Sequence, residues 1–275
     1  MRQLAVLSSL LATSSKAALI SLIGAQQPGI LDSRESEAGL VQIECLSENA
    51  TYYFRGAIID SGDADASYEV ILTSLHGLPD DLSTIRRTCV VKGAQGSHVG
   101  IKDIWRPDSR GYVSPSDWAV LLTNERLRDA IERLSAVRVP YPGREKLAAN
   151  DIPVRLPLRF VEGERACSLT QFGPAGVRSS EGLFAHTCRT WPGLSGSPIL
   201  ISIDDQPFVL GIHLGSRWPY DRDPALGIGR FVDATIAEAI NAAVAKGKTE
   251  TALAITKRHE RERRREQLRV GTVLR

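Results

Sequence analysis

The sequence predicts an all-β protein built from two packed β-barrels, followed by a C-terminal helix. Three observations carry this prediction. Beyond residue 28, short runs rich in Val, Ile, Tyr and Thr dominate the chain, separated by clusters of Gly, Pro, Asp or Ser. These runs form two sets with a linker between them. A single late segment, ATIAEAINAAVAK at 234–246, has helical periodicity instead.

The first set comprises GLVQIEC, YYFRGAIID, YEVILTSL, TCVVKGA and DWAVLLT, within 29–123. NERLRDAIERL at 124–134 breaks the pattern. Its apolar residues Leu127, Ala130, Ile131 and Leu134 recur at the 3.6-residue period, which predicts a short helix. VPYPGREKLAAND then reads as linker, so 124–150 is expected to join the barrels. The second set, within 151–232, is IPVRLPLRF, ACSLTQF, GLFAHTC, SPILISI, PFVLGIHLG and GIGRFVD. Asp233 is the expected N-cap and Gly247 the expected stop of a helix over 233–248. The remainder, 249–275, is a charged tail whose KRHERERRREQLR stretch carries seven Lys/Arg against three Glu. It reads as a solvated helical or disordered tail.

Composition narrows the function classes. With 275 residues, 43% hydrophobic and 24% charged, the chain is ordinary for a soluble globular protein. A net charge of +2 provides no global field to attract nucleic acid or a membrane surface. No apolar run reaches the roughly 18 uncharged residues that a membrane span requires. The first 28 residues read as an export leader: Arg2 precedes an apolar core at Leu4–Ala12, and Ser15-Lys16-Ala17 resembles a small-residue cleavage site. The expected location is therefore periplasmic or secreted.

Four cysteines, Cys45, Cys89, Cys167 and Cys188, lack C-x-x-C spacing, and histidines are few, which argues against a zinc site. An even count behind an export signal predicts disulfides, with three connectivities open. Cys167 and Cys188 bracket adjacent predicted strands, which favours pairing them and leaves Cys45 with Cys89.

TWPGLSGSPIL, residues 190–200, places a serine among glycines just before a strand. A serine hydroxyl is a weak nucleophile near neutral pH unless a general base lies at hydrogen-bond distance and a third group fixes the tautomer of that base. Histidine is the natural base. Of the five histidines, His76 closes an apolar strand and is followed at once by Gly77. His98 falls in a polar loop, His186 and His213 in strands, and His259 in the tail. The acidic partner must be nearly buried. Asp117, just before five apolar residues, fits that demand better than Asp103 or Asp108. The order His76, Asp117, Ser195 puts base and acid on the first barrel and the nucleophile on the second. GLSGS fails the G-x-S-x-G pattern, and the order differs from Ser–Asp–His, so the α/β-hydrolase fold is rejected.

At these residues the chain resembles the trypsin-like, chymotrypsin-fold serine peptidases. LTSLHG resembles their LTAAHC around the base, DWAVLL their acid motif, and GLSGSPIL their G-x-S-G-[GS]-P around the nucleophile. SGSP followed by GIH-x-G is most similar to the bacterial glutamyl-endopeptidase branch. The resemblance spans roughly residues 35 to 246 and implies two six-stranded antiparallel barrels. It also implies an oxyanion hole from the N–H groups of Gly193 and Ser195. A primary pocket would be lined by Arg189, Thr190, His213, Leu214, Gly215 and Ser216, with Thr190 and His213 holding a substrate carboxylate.

Two departures stand out. Gly77 replaces the cysteine that often follows the base, and Leu194 replaces the aspartate that trypsin-type zymogens use on activation. The resulting expectation is a serine endopeptidase acting on peptide or protein substrates, with neither metal nor organic cofactor. The rival is a catalytically silent homologue that keeps the cleft as a peptide-binding module.

Overall fold

The computed structural model describes residues 39–48, 50–93, 96–128, 133–136, 152–157, 167–170, 181–216 and 226–273. The expected leader at 1–28 and most of the linker lie outside the described residues.

The first barrel is formed by β1 (Leu40–Leu46), β2 (Thr51–Ile59), β3 (Val70–Thr73), β4 (Cys89–Lys92), β5 (His98–Trp105) and β6 (Ala119–Thr123). These close in the order β1-β2-β3-β6-β5-β4 with antiparallel pairing throughout. Along β1 the sequence alternates: Val41, Ile43 and Cys45 point inward, while Gln42 and Glu44 are half-buried. Strands β3 and β6 are buried at every position. Ile71 and Leu121 fill the barrel, whereas Val70, Leu72, Val120 and Leu122 face a second core shared with the other barrel and the terminal helix. Burial on both faces explains their unbroken apolar character. Cys45 and Cys89 lie directly opposite on β1 and β4, and their disulfide spans the seam that closes the barrel.

A short helix that the sequence pattern did not reveal, α1 (Leu82–Thr88), precedes β4. Asp81 caps it by accepting from Thr84 N (2.8 Å), and its one buried residue is Ile85. One buried residue leaves no apolar stripe to read.

The second sheet comprises β8 (Pro153–Val154), β9 (Cys167–Thr170), β10 (Leu183–His186), β11 (Pro198–Ile203), β12 (Gln206–Ser216) and β13 (Gly227–Phe231), in the order β11-β12-β13-β10-β9-β8. A two-residue strand, β7 (Ser135–Ala136), pairs in parallel with β12. Arg155 exchanges both backbone hydrogen bonds with Leu200 (2.9 and 2.7 Å), which brings the end of β8 back to β11. A disulfide joins Cys167 on β9 to Cys188 just beyond β10. Both cysteine pairings are those expected.

Two expectations are corrected. The segment 124–134 is not the predicted helix: 124–128 and 133–134 are non-helical, and 129–132 lie outside the described residues. The cause is Glu69, which is 1% exposed. Its carboxylate accepts Leu127 N (3.1 Å) and two nitrogens of Arg133 (2.6 and 3.0 Å). Leu134 bonds through its N–H and carbonyl to Ile58 O (2.8 Å) and Asp60 N (2.9 Å), so its backbone is committed to the barrel. A buried carboxylate must be paired and hydrogen-bonded, and meeting that need overrides a local helical pattern.

The second correction concerns the terminal helix, α2 (Ala234–Val273), which runs through Gly247 and far into the expected tail. Asp233 caps it through Ile236 N (3.1 Å). Gly247 is not a stop. A Cβ there would lie 2.4 Å from the Tyr68 ring, so glycine lets the helix pack close to the first barrel. Among the described residues no helix is long and apolar enough to cross a membrane.

Candidate active site

Asp117 is fully buried at the start of β6, and its carboxylate accepts four hydrogen bonds. Oδ1 accepts Leu75 N (3.0 Å) and His76 N (2.9 Å). Oδ2 accepts Val113 N (2.8 Å) and faces His76 Nδ1 (2.8 Å). A buried charge this fully bonded is held at modest cost. A carboxylate only accepts, so His76 must carry a proton on Nδ1, leaving Nε2 as the nitrogen able to take one. Val113 reaches its position with φ 49, a left-handed conformation that is a genuine outlier for a β-branched residue. The Tyr112 ring meets His76 edge-on, with centroids 4.9 Å apart.

The nucleophile candidate sits in a turn stitched to β12. Gly196 N donates to His213 O (2.7 Å), His213 N to Ser197 O (2.8 Å), and Ser197 N to Leu194 O (3.0 Å). Ser195 O accepts Arg55 N (2.7 Å) from β2, which seats the turn on the first barrel. Gly196 has φ 84, and a Cβ there would lie 2.0 Å from Arg55 O and 2.4 Å from Thr73 Oγ1, so only glycine fits. Gly193, with φ 95, is required for its backbone rather than for space: the nearest atom to a Cβ there is Tyr53 O at 3.8 Å. Neither Gly193 N nor Ser195 N donates to a protein acceptor among the described residues, so both amides are available to an oxyanion.

Ser195 Oγ donates to Leu214 O (3.2 Å) and not to His76. Leu214 occupies the register shift between His213 and Gly215, and that bulge turns its carbonyl toward the serine.

Apart from Leu214, the residues expected to line the pocket separate into four groups. Thr190 Oγ1 and Ser216 Oγ bond to each other (2.8 Å), linking the chain before the nucleophile to the end of β12. Gly215 packs against Val113, whose Cγ2 would lie 3.0 Å from an added Cβ. His213 is 2% exposed, and its Nδ1 meets His186 Nε2 at 3.0 Å. Arg189, by contrast, is exposed and hydrogen-bonded to none of them. His186 went unassigned in the sequence, although two histidines in otherwise apolar strands were the available signal. Burial pushes His186 down to about 3. Burial, with smaller contributions from the charges of His186 and His76, holds His213 well below its ordinary value. Both rings are therefore neutral at pH 7.

The space left by the missing cysteine after the base is also explained. A Cβ at Gly77 would lie 2.7 Å from the Phe54 ring, which fills that corner.

Comparison with known proteins bears on the fold. No protein-family profile matches the chain, and no curated protein sequence matches it. Solved structures do. The protease Anisep from Arthrobacter nicotinovorans matches with a TM-score of 0.51 at 14% identity, over 80% of this chain and 98% of that one. An inactivated protease paralogue of the scabies mite, S-I1, matches with a TM-score of 0.55 at 13% identity, over 76% of this chain and 95% of that one. The serine endoprotease from Yersinia pestis matches with a TM-score of 0.52 at 14% identity, over 81% and 69%. The fold is chymotrypsin-like. Of the two six-stranded barrels expected, the first is a closed six-stranded barrel, whereas the second is a seven-stranded sheet whose edges meet only at the Arg155–Leu200 bridge; the expected C-terminal helix is present.

Proposed function

We propose that the chain is an exported serine endopeptidase. The observation that carries this reading is the Asp117–His76 pair: a fully bonded buried carboxylate holds the imidazole in the tautomer that leaves Nε2 free. His76 would take the proton of Ser195 as Oγ attacks a peptide carbonyl, and then return it to the leaving amine. Asp117 would stabilise the imidazolium, and the amides of Gly193 and Ser195 would receive the oxyanion. The two disulfides favour an oxidising compartment. Inactivated proteases share this fold. The reading therefore rests on His76, Asp117 and Ser195 all being present, rather than on the fold alone.

The buried histidine pair supports a preference for an acidic residue on the acyl side of the cut. His186 Nδ1 is buried without a hydrogen-bond partner among the described residues. An orphaned N–H is a rarer state than an orphaned acceptor, so the single proton of His186 belongs on Nε2. It then donates to His213 Nδ1, which puts the proton of His213 on Nε2 and makes that nitrogen a donor to an anion. The Thr190 and Ser216 hydroxyls would add donors. The test is a peptide-library profile of the purified protein, with Ser195→Ala as control. Cleavage after Glu or Asp is expected, with that advantage shrinking at least tenfold in His213→Ala. A profile dominated by Lys, Arg or large apolar residues would overturn the acidic preference, and cleavage surviving in Ser195→Ala would overturn the peptidase reading.

A further inference from the structure

Base and nucleophile stand on different barrels, so their separation depends on what fastens one barrel to the other beside the site. On the nucleophile side, Arg55 N holds Ser195 O. On the acid side, the fastening is made by a buried cation that the catalytic reading leaves unused. We infer that Arg230 is a positioning residue: its guanidinium clamps the loop carrying Asp117 onto the barrel carrying Ser195. The inference rests on the triad proposed above.

Arg230 lies on β13 and is 5% exposed. Its Nε donates across the barrel interface to Pro115 O (2.8 Å). Nη1 donates to Gly182 O (3.1 Å) and Phe231 O (3.3 Å), and Nη2 to Asp233 Oδ2 (2.5 Å). Four bonds in divergent directions suit a rigid planar fork and exceed what a single ammonium can make. Gly182 is shaped around it: with φ 87, a Cβ there would lie 1.7 Å from Nη1. Asp233 neutralises the charge and also caps α2.

Pro115 belongs to the turn that forms the acid site. Ser114 O accepts Asp117 N (3.0 Å), and Val113, one residue earlier, donates to Asp117 Oδ2 in its left-handed conformation. A β-branched residue stays there only when its surroundings impose it. Val113 is confined between Asp117 and Gly215, while the Pro115 carbonyl is held by Arg230. Releasing that carbonyl would let the turn relax, and the orientation of His76 with it. Misplacement on the order of 1 Å at a reacting centre costs about a hundredfold in rate.

The test uses the full chain with Arg230→Met and Asp233→Asn combined. This pair removes both buried charges together and keeps a competent N-cap. Two quantities are read: the second-order rate of Ser195 modification by diisopropyl fluorophosphate, and the downfield proton resonance of His76 Nδ1–H. The rate is expected to fall at least tenfold, and the resonance to broaden or vanish, in a protein that still melts cooperatively. Should the double variant fail to fold, Arg230→Lys keeps the charge opposite Asp233 and is expected to show the same two losses. A folded variant with the wild-type rate and an unchanged resonance would overturn the clamp. If the wild-type chain itself does not react, the peptidase reading falls, and the resonance still decides the clamp.

Discussion

The first barrel closes on itself through continuous antiparallel pairing and carries the candidate acid Asp117, whose carboxylate is fully bonded. The second returns to its first strand through a single bridging residue pair and holds the nucleophile on a turn with left-handed glycines at 193 and 196. The contrast extends to buried polar atoms. Among the described residues, His186 Nδ1, Ser197 Oγ and Ser202 Oγ lack partners in the second sheet, and Ser74 Oγ in the first barrel. On the proposed peptidase reading, the difference follows from what each half would do. Directing a proton needs one fixed hydrogen-bond geometry, set before substrate arrives. Accepting an oxyanion needs amides left without a protein acceptor, as those of Gly193 and Ser195 are among the described residues.

The sharpest way to break this comparison is to add one methyl group to each half. In Gly196→Ala the new Cβ would meet backbone at Arg55 O, 2.0 Å away, and the nucleophile turn must move. Hydrolysis is expected to fall by about a hundredfold or more. In Gly77→Ala the Cβ meets the Phe54 side chain, which can turn aside. The expected result there is about 1–3 kcal/mol of lost stability from overpacking, with little change in kcat for the folded protein. Paired kinetics and urea melts distinguish the two.

Removing the disulfides acts chiefly on stability. Cys45→Ala with Cys89→Ala opens the seam of the first barrel and should cost about 2–5 kcal/mol of stability, leaving the rate of the folded fraction unchanged. Cys167→Ala with Cys188→Ala should cost a similar amount and also lower kcat, because Cys188 anchors the chain that leads into residues 189–195.

The last effect is a pH dependence that arises from a buried histidine of the second sheet. His186 stays neutral in the native state down to about pH 3, whereas an unfolded histidine takes up its proton near pH 6.5. The unfolded chain therefore binds more protons as the pH falls from 6.5 toward 3, and stability declines over that window by up to about 1.4 kcal/mol per pH unit for this group. His186→Gln should make the decline shallower by about one proton. Denaturant midpoints at pH 7, 6, 5 and 4 would show it, and equal slopes in the two proteins would contradict it.

The sequence revealed those parts of the site whose signals are local. The apolar runs of β3 and β6, the strand-end His76 and the glycines around Ser195 follow from residue type and short spacing, whereas Cys45–Cys89, 44 residues apart, is reached only by elimination. What stayed hidden depends on partners distant in the chain. The 124–134 segment has a helical pattern, but Glu69 and Ile58, more than fifty residues earlier, claim its backbone and side chains. Gly247 has the look of a helix stop until Tyr68 is placed against it. The joining of His186 to His213 and of Arg230 to Pro115 has no expression in local sequence.

The central claim is that Ser195 becomes a nucleophile through His76 and Asp117. The most direct measurement is labelling of the purified chain with a fluorophosphonate probe, followed by peptide mapping, because the probe reacts only with an activated serine. The expected outcome is a single adduct on Ser195 that disappears in His76→Ala. An unlabelled folded protein, or an adduct that persists without His76, would contradict the account.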